Sequence, residues 1–394
     1  LLALAVLGVS SACSAPSEQK SNSGGIREIV TFSYPKPVSF FTWSPDSSKL
    51  AVSYAEDTRI SLRDVSTGQT LWTVAKKLGP LTGGKDLDFG PSGETVITGS
   101  AITIGGQNTD ATLSIISART GEILQTLRDT PPLAGQNKPT SFVLSRDRTR
   151  LVTDLGHGMM GIYGTASWKL IDKFGPIIHR SFMFGGTDSP ANIYRIAWIE
   201  AQNLLVVNAG DAQLQTWDLT SHRKVIDFQP AQVDVLDMRL NPKNSQLLIG
   251  ASANTVRFAP AGHPPDGFMV ERQDDPATLV RTWDARLGKQ IRIYAGPGGS
   301  ANAVDVSPDG KIVAAIKSRI IAIGTPAYLI MWDAESGAVL RQSVIGQGFL
   351  GDLGFSPDGT KLAYSIDNRV HILDMREKGY STAQAGNGIP PSRE

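Results

Sequence analysis

The chain reads as an all-β protein, a seven-bladed β-propeller of four-stranded antiparallel blades closed by its N-terminal strand. Three observations predict this. Between residues 301 and 343 lie four short apolar runs, at 303–306, 312–316, 328–332 and 339–340, separated by turn residues. The first gap holds Ser307-Pro308-Asp309-Gly310, in which Pro presets φ for a type I or II turn and Gly takes the positive φ that follows. The last gap holds Asp333-Ala334-Glu335-Ser336-Gly337, a second tight turn ending in Gly. Such a meander cannot bury both of its faces alone. Second, the unit repeats. The same turn place recurs at Ser44-Pro45-Asp46, Gly90-Pro91-Ser92, Ser145-Arg146-Asp147, Ile199-Glu200-Ala201, Asn241-Pro242-Lys243 and Ser356-Pro357-Asp358. That is a period of about 52 residues, which fits propeller blades carrying insertions. Third, the two ends complement each other. Residues 26–34 alternate like a strand with no partner nearby, and 352–374 supply three strands and then stop. Pairing the two closes the ring and removes an open sheet edge that would invite aggregation.

The third strands end in Trp217-Asp218, Trp283-Asp284 and Trp332-Asp333, more loosely in Arg63-Asp64 and Leu373-Asp374, and in drifted form in Ile116-Ser117 and Tyr163-Gly164. On these dipeptides and the Ser-Pro-Asp turns, the chain resembles WD40-repeat proteins over residues 26–375. The resemblance implies an interaction platform that binds protein partners and does no chemistry. No unit carries that family's Gly-His dipeptide before its first strand. Gly156-His157 and Gly262-His263 fall between second and third strands instead, so blade rigidity is expected to come from packing. One segment, Asp64-Val65-Ser66-Thr67-Gly68-Gln69-Thr70-Leu71-Trp72, resembles the D-x-x-T-G-x-x-x-W stretch of quinoprotein-type propellers, which include lipoproteins that aid outer-membrane protein assembly. That likeness implies that Trp72 docks between blades.

Ahead of the propeller, residues 1–9 form an apolar run that reaches Ser10-Ser11-Ala12-Cys13. It is too short for a transmembrane helix, which needs about 20 residues, and it reads as the remainder of a signal peptide. Cys13, the sole cysteine, lies where the run ends behind small residues. This resembles a bacterial lipoprotein signal and implies lipidation at Cys13, export, and a place in the cell envelope; ordinary secretion with cleavage at the small residues and an unprocessed or cytosolic chain are the alternatives. Residues 14–25 lack any large apolar side chain and are rich in Ser and Gly, as in a flexible tether. The domain plan is therefore a signal segment at 1–13, a linker at 14–25, the propeller at 26–375 and a polar tail at 376–394.

The formal charge is +1, and no Lys/Arg run of the kind that tracks phosphates is present, so no nucleic-acid partner is expected. No H-E-x-x-H, G-x-S-x-G or Gly-rich phosphate loop occurs. The histidines, His157, His179, His222, His263 and His371, are scattered over different units, and His222 is expected to be solvated in a turn. No cofactor, metal or catalytic residue is expected, and the chain is read as no enzyme. Period-2 alternation turns Phe40/Thr42, Asp86/Asp88, Ser141/Val143, Arg195/Ala197, Asp237/Arg239, Ala303/Asp305 and Asp352/Gly354 towards the channel. A polar ligand or cation held by Asp86, Arg195, Asp237 and Asp352 is one expectation for them. A water-filled channel neutralised by the arginines is the other. A channel of the first kind would suit a hydrolase- or lactonase-like propeller, the rival class.

Extra residues fall between second and third strands (105–110, 253–277) and between a fourth strand and the next blade (129–138, 175–192). Both classes of connection emerge from the same side of a meander, so one face of the ring carries the elaboration and is the expected binding face. His179, Arg180, Phe182, Phe184, His263 and Phe268 on these insertions are the candidate partner contacts, of types enriched at interface hot spots; packing over the propeller's rim is the alternative. The lipidation expectation is tested by Cys13→Ser. The variant should leave the detergent phase for the aqueous phase with its propeller intact, and partitioning identical to the parent would reject the anchor.

Overall fold

A computed structural model of the chain describes residues 27–55, 57, 59–75, 87–104, 107–127, 141–181, 187–191, 193–210, 213–229, 234–252, 254–258, 268–273, 279–297, 299–318 and 325–376. Seven four-stranded antiparallel sheets stand in a ring, each running from the channel outwards. Their innermost strands are Val38–Trp43, Leu87–Phe89, Phe142–Leu144, Arg195–Ile199, Val235–Leu240, Ser300–Val306 and Leu350–Phe355. We number the blades in that order. The seventh takes its outermost strand, Glu28–Ser33, from the start of the propeller, paired with Arg369–Asp374 in the register Thr31↔His371 and Phe32↔Val370. Among the described residues no helix is long and apolar enough to cross a membrane.

The turn chemistry explains why the blades fold where they do. In the first turn of blade 7, Ser356 Oγ donates to Asp358 Oδ1 (2.5 Å) and accepts from the Lys361 N–H (2.9 Å). The Thr360 N–H donates to the same carboxylate at 2.9 Å. Ser44/Asp46, Ser145/Asp147 and Ser307/Asp309 repeat the pattern. A Ser–Asp pair thereby absorbs the turn's polar groups locally. The Asp of each Trp-Asp ending does the same for the next turn. Asp218 accepts the N–H groups of Thr220 and Ser221 at 2.8 Å each, and Asp284 those of Arg286 and Leu287 at 2.9 and 3.0 Å.

The Trp of the dipeptide has a separate task, which is to join one blade to the next. Phe174, Phe228 and Tyr294 end the outer strands of blades 3, 4 and 5. Each meets the Trp on the third strand of the following blade: Phe174–Trp217 at 6.1 Å between ring centroids, Phe228–Trp283 at 5.5 Å and Tyr294–Trp332 at 5.9 Å. These tilted contacts suit the ring quadrupoles. Where the Trp is replaced, the contact survives in other chemistry. Arg63 of blade 1 lies 4.9 Å from the Phe32 centroid and 4.5 Å from that of Tyr34, both at the closing strand. Leu127 and Tyr163 share one core cluster across blades 2 and 3. A turn glycine completes the fit at the Phe228–Trp283 rung: Gly288 has φ 61°, and a Cβ there would stand 3.1 Å from Phe228 Cβ.

The insertions at 175–192 and 253–277 each contain a two-stranded hairpin, Ile178–Ser181 with Thr187–Pro190 and Asn254–Phe258 with Phe268–Gln273. Pairing satisfies backbone groups that an extended loop would leave to solvent. His222 is not simply solvated. It takes the positive-φ turn position at φ 55° and stacks on Phe174 at 5.4 Å with the rings 20° apart. Its Nε2 lies 3.0 Å from Asp172 Oδ2.

Two outcomes follow for stability. Deleting residues 27–34 removes both the edge partner of the last blade and the aromatic platform of Arg63. Light scattering should then show oligomers or aggregates; a monomer as stable as the parent would contradict ring closure. The Ser–Asp turns also predict an acid transition. The Ser44 hydroxyl chiefly holds Asp46 down to about 2, against a burial effect and with help from Ser48. At Asp358 burial pushes upward, but the Ser356 hydroxyl and Thr360 outweigh it and hold that carboxyl at about 2 as well. Unfolded Asp titrates near 3.9. A depressed folded pKa gives stability that is full above about pH 4 and is lost as the pH falls towards about 2. Asp358→Asn should lower Tm at pH 7, and the gap from the parent should close near pH 2.

Candidate functional site

The inner strand of every blade has one edge paired to its own second strand and one edge facing the channel, where backbone N–H groups lack ladder partners. Aspartates from the preceding blade meet three of them. Asp237 Oδ2 of blade 5 accepts from the Val304 N–H of blade 6 (3.1 Å), and Asp305 Oδ2 of blade 6 from the Phe355 N–H of blade 7 (2.7 Å). Asp352 Oδ2 of blade 7 accepts from the Phe41 N–H of blade 1 at 3.3 Å. At the next seam, Thr42 Oγ1 donates to Asp88 Oδ1 at 3.2 Å.

The channel arginines neutralise this set. Arg239 reaches Asp237 at 2.7 Å and Asp352 at 3.4 Å, while Arg195 Nε lies 3.7 Å from Asp237. On the far side, Arg148 approaches Asp88 at 3.5 Å. Burial works against the Arg239 charge, yet Asp237, Asp352, Asp305 and Asp88 hold its pKa above the ordinary arginine range. Asp237 and Asp352 are buried, so each carboxylate is both an inter-blade tie and a counter-ion. The structure thus brings together Arg195, Asp237 and Asp352 of the sequence-derived channel set. Asp86, the fourth member, lies outside the described residues. Sequence reasoning placed these side chains towards the channel but missed their bonds to neighbouring backbone, since alternation along a strand does not report which N–H of the next blade stands opposite.

A cavity of about 430 Å3 opens between the inner strands of blades 3, 4 and 5, with Phe142, Leu144, Trp198 and Leu240 among its walls. Arg146, Glu200 and Pro242 rim it. These belong to the first-to-second-strand turns, so it opens on the face opposite the insertions. The Arg146 backbone N–H donates to the Glu200 carboxylate, and its guanidinium reaches the Pro242 carbonyl at 3.3 Å, linking three turns across the mouth. Sequence reasoning did not identify this cavity.

On the other face, His179 sits in the first added hairpin, half-buried beside Gly210, opposite Ser189. Arg180 pairs with Asp188, and Phe268 with Phe258, through the backbone. Phe182, Phe184 and His263 lie outside the described residues, as does Cys13. Among the described residues no group of three or more His, Cys, Asp or Glu side chains could hold a metal ion.

Fold and channel together define a seven-bladed β-propeller. No protein-family model matches the chain. Over 206 residues, covering 46% of this chain and 30% of the relative, it is 24% identical to Transcription initiation factor TFIID subunit 5 of Caenorhabditis elegans. Over 125 residues, covering 32% of this chain and 35% of the relative, it is 26% identical to Small ribosomal subunit protein RACK1 of the same organism. The chain thus spans about a third of the length of either curated relative.

The double role of the channel carboxylates makes one of them a sharp test. Asp237→Asn removes the nearer of the two carboxylates that Arg239 reaches inside the ring. Breaking one partner of a buried pair costs about 3 kcal/mol or more, and urea unfolding should show a loss of that order. A change below about 0.5 kcal/mol, the range of ordinary surface substitutions, would contradict the tie.

Proposed function

We propose that this chain is a WD40-like interaction propeller, a non-enzymatic scaffold that engages protein partners on the face bearing its insertions. One observation carries the proposal: both added hairpins lie in connections that leave the ring on the same side. A rigid ring can carry longer loops at small cost, since doubling a loop adds only about 0.6 kcal/mol of closure entropy. The matched relatives lend support, being named as a subunit of TFIID and a protein of the small ribosomal subunit; both names denote parts of larger assemblies. The Trp-Asp endings of blades 4, 5 and 6 support the WD40-like character.

The proposal extends to location. The apolar run ending at Cys13 supports export of a bacterial protein to the cell envelope, with the lipidated cysteine as membrane anchor and residues 14–25 as tether. A second reading, a quinoprotein-like envelope-assembly lipoprotein, draws support from Trp72, whose Nε1 donates to the Ala118 carbonyl of the next blade at 2.9 Å. Trp72 is one rung among seven seams, so the WD40-like reading is preferred.

Crosslinking and capture from intact envelopes, with and without Phe182→Ser/Phe184→Ser, test the docking face. Aromatic anchors buried centrally in a contact contribute on the order of 2 kcal/mol each. The double variant should therefore lose its captured partner while Tm stays unchanged. Unaltered capture, or a Tm lowered by several degrees, would reject docking through these residues.

A further inference from the structure

The cavity between blades 3, 4 and 5 lies where the ring lacks its own carboxylates. At three seams an aspartate of one blade accepts an inner-strand N–H of the next: Val304, Phe355 and Phe41 are the donors. Blade 3 carries Ser141 and Val143 at the two aspartate positions, and blade 4 carries Arg195 and Ala197. In blade 4 the pairings Ile196↔Val207 and Trp198↔Leu205 repeat the registers Val304↔Ala315 and Phe355↔Leu362. The Ile196 and Trp198 N–H groups therefore face the channel edge as those donors do. Among the described residues no carboxylate accepts from them.

The Trp198 side chain makes the same point independently. It stands where Trp43 stands in blade 1, and there the indole Nε1 donates to the Gly354 carbonyl of the preceding blade at 3.1 Å. Trp198 is only 7% exposed, and its Nε1 is buried without a hydrogen-bond partner. A buried donor left unmet is costly, and Trp198 is one of the residues lining the cavity. Arg146, Arg195 and Arg239 line it beside Asp88 and Glu200. The remaining wall, with Phe142, Leu144 and Leu240, is apolar. The volume falls within the range of small-molecule sites.

We propose that this cavity binds a small organic acid, a carboxylate on an apolar body. The carboxylate would fill, between blades 3 and 4, the place that an aspartate side chain fills at three other seams. The apolar body would lie against Phe142, Leu144 and Leu240. The same chemistry could come from a free acid or from the C-terminal residue of a peptide.

Thermal shift and calorimetry on the full chain test this with phenylacetate and octanoate, their amides, and Gly-Gly-Phe with a free or an amidated C-terminus. Either acid should raise Tm by a few degrees at 100 times its Kd, because ligand that binds only the folded chain stabilises it. The matching amide should not. A shift with the free acids supports a metabolite-like ligand, and a shift with free Gly-Gly-Phe alone supports a peptide terminus. Trp198→Phe keeps the ring and removes the donor, and should weaken acid binding about tenfold. Ala197→Leu, which grows into the cavity, should abolish it. Amides that bind as well as acids, the absence of any shift with acids and peptides alike, or acid binding untouched by both substitutions would each overturn the proposal. The comparison of acid with amide needs only the parent protein, so a poorly folded variant leaves the test intact.

Discussion

The ring stands on one repeated contact: the last side chain of a blade's outer strand against the penultimate side chain of the next blade's third strand. A four-stranded blade has two faces to cover and no second layer of its own, so each face must be covered by a neighbour. The core clusters accordingly run across seams and not within blades. Val280 and Tyr294 of blade 5, for example, pack with Val304 and Trp332 of blade 6. The Trp of the Trp-Asp ending is the piece that reaches furthest, and Trp332 is fully buried while its Nε1 donates to the Ala295 carbonyl at 2.8 Å. Arg63 shows that the position tolerates a change of chemistry, here against aromatic partners. At the closing seam the partners are Phe32 and Tyr34, so the strand that closes the sheet also supplies the last rung.

Much of this was legible in the chain, because turns and rungs are local patterns repeated in one frame. Ser-Pro-Asp and Trp-Asp mark the two turns of a blade, and the orphan strand at 26–34 marked the closure. What escaped depends on neighbours that no single unit contains. His222 reads as a turn residue, yet Phe174 of the preceding blade stacks on it. Asp237 and Asp352 read as channel-facing charges, yet each also accepts a backbone N–H of the next blade. The hairpins within the insertions were hidden for a different reason. Their strands are short and sit among Gly- and Pro-rich stretches that signal turns more strongly than pairing.

The same seam logic separates the two faces of the ring. Where aspartates tie the inner strands, from blade 5 round to blade 1, the channel wall is closed by the protein's own carboxylates. Across blades 3 and 4 those residues are Ser141, Val143, Arg195 and Ala197, and the wall opens into the cavity rimmed by Arg146 and Glu200. The insertions stand on the opposite side. The insertions and the cavity therefore lie at opposite ends of the channel.

The dependence of the ring on its rungs is tested most directly by a double-mutant cycle on Phe228 and Trp283, whose contact has no hydrogen bond to confuse it. Phe228→Ala, Trp283→Ala and the double variant would be unfolded in urea alongside the parent. A packed aromatic pair contributes about 0.5–1.5 kcal/mol beyond its buried area, so a coupling energy of that size is expected. Additive losses, with coupling inside the roughly 0.3–0.5 kcal/mol seen for independent sites, would contradict it.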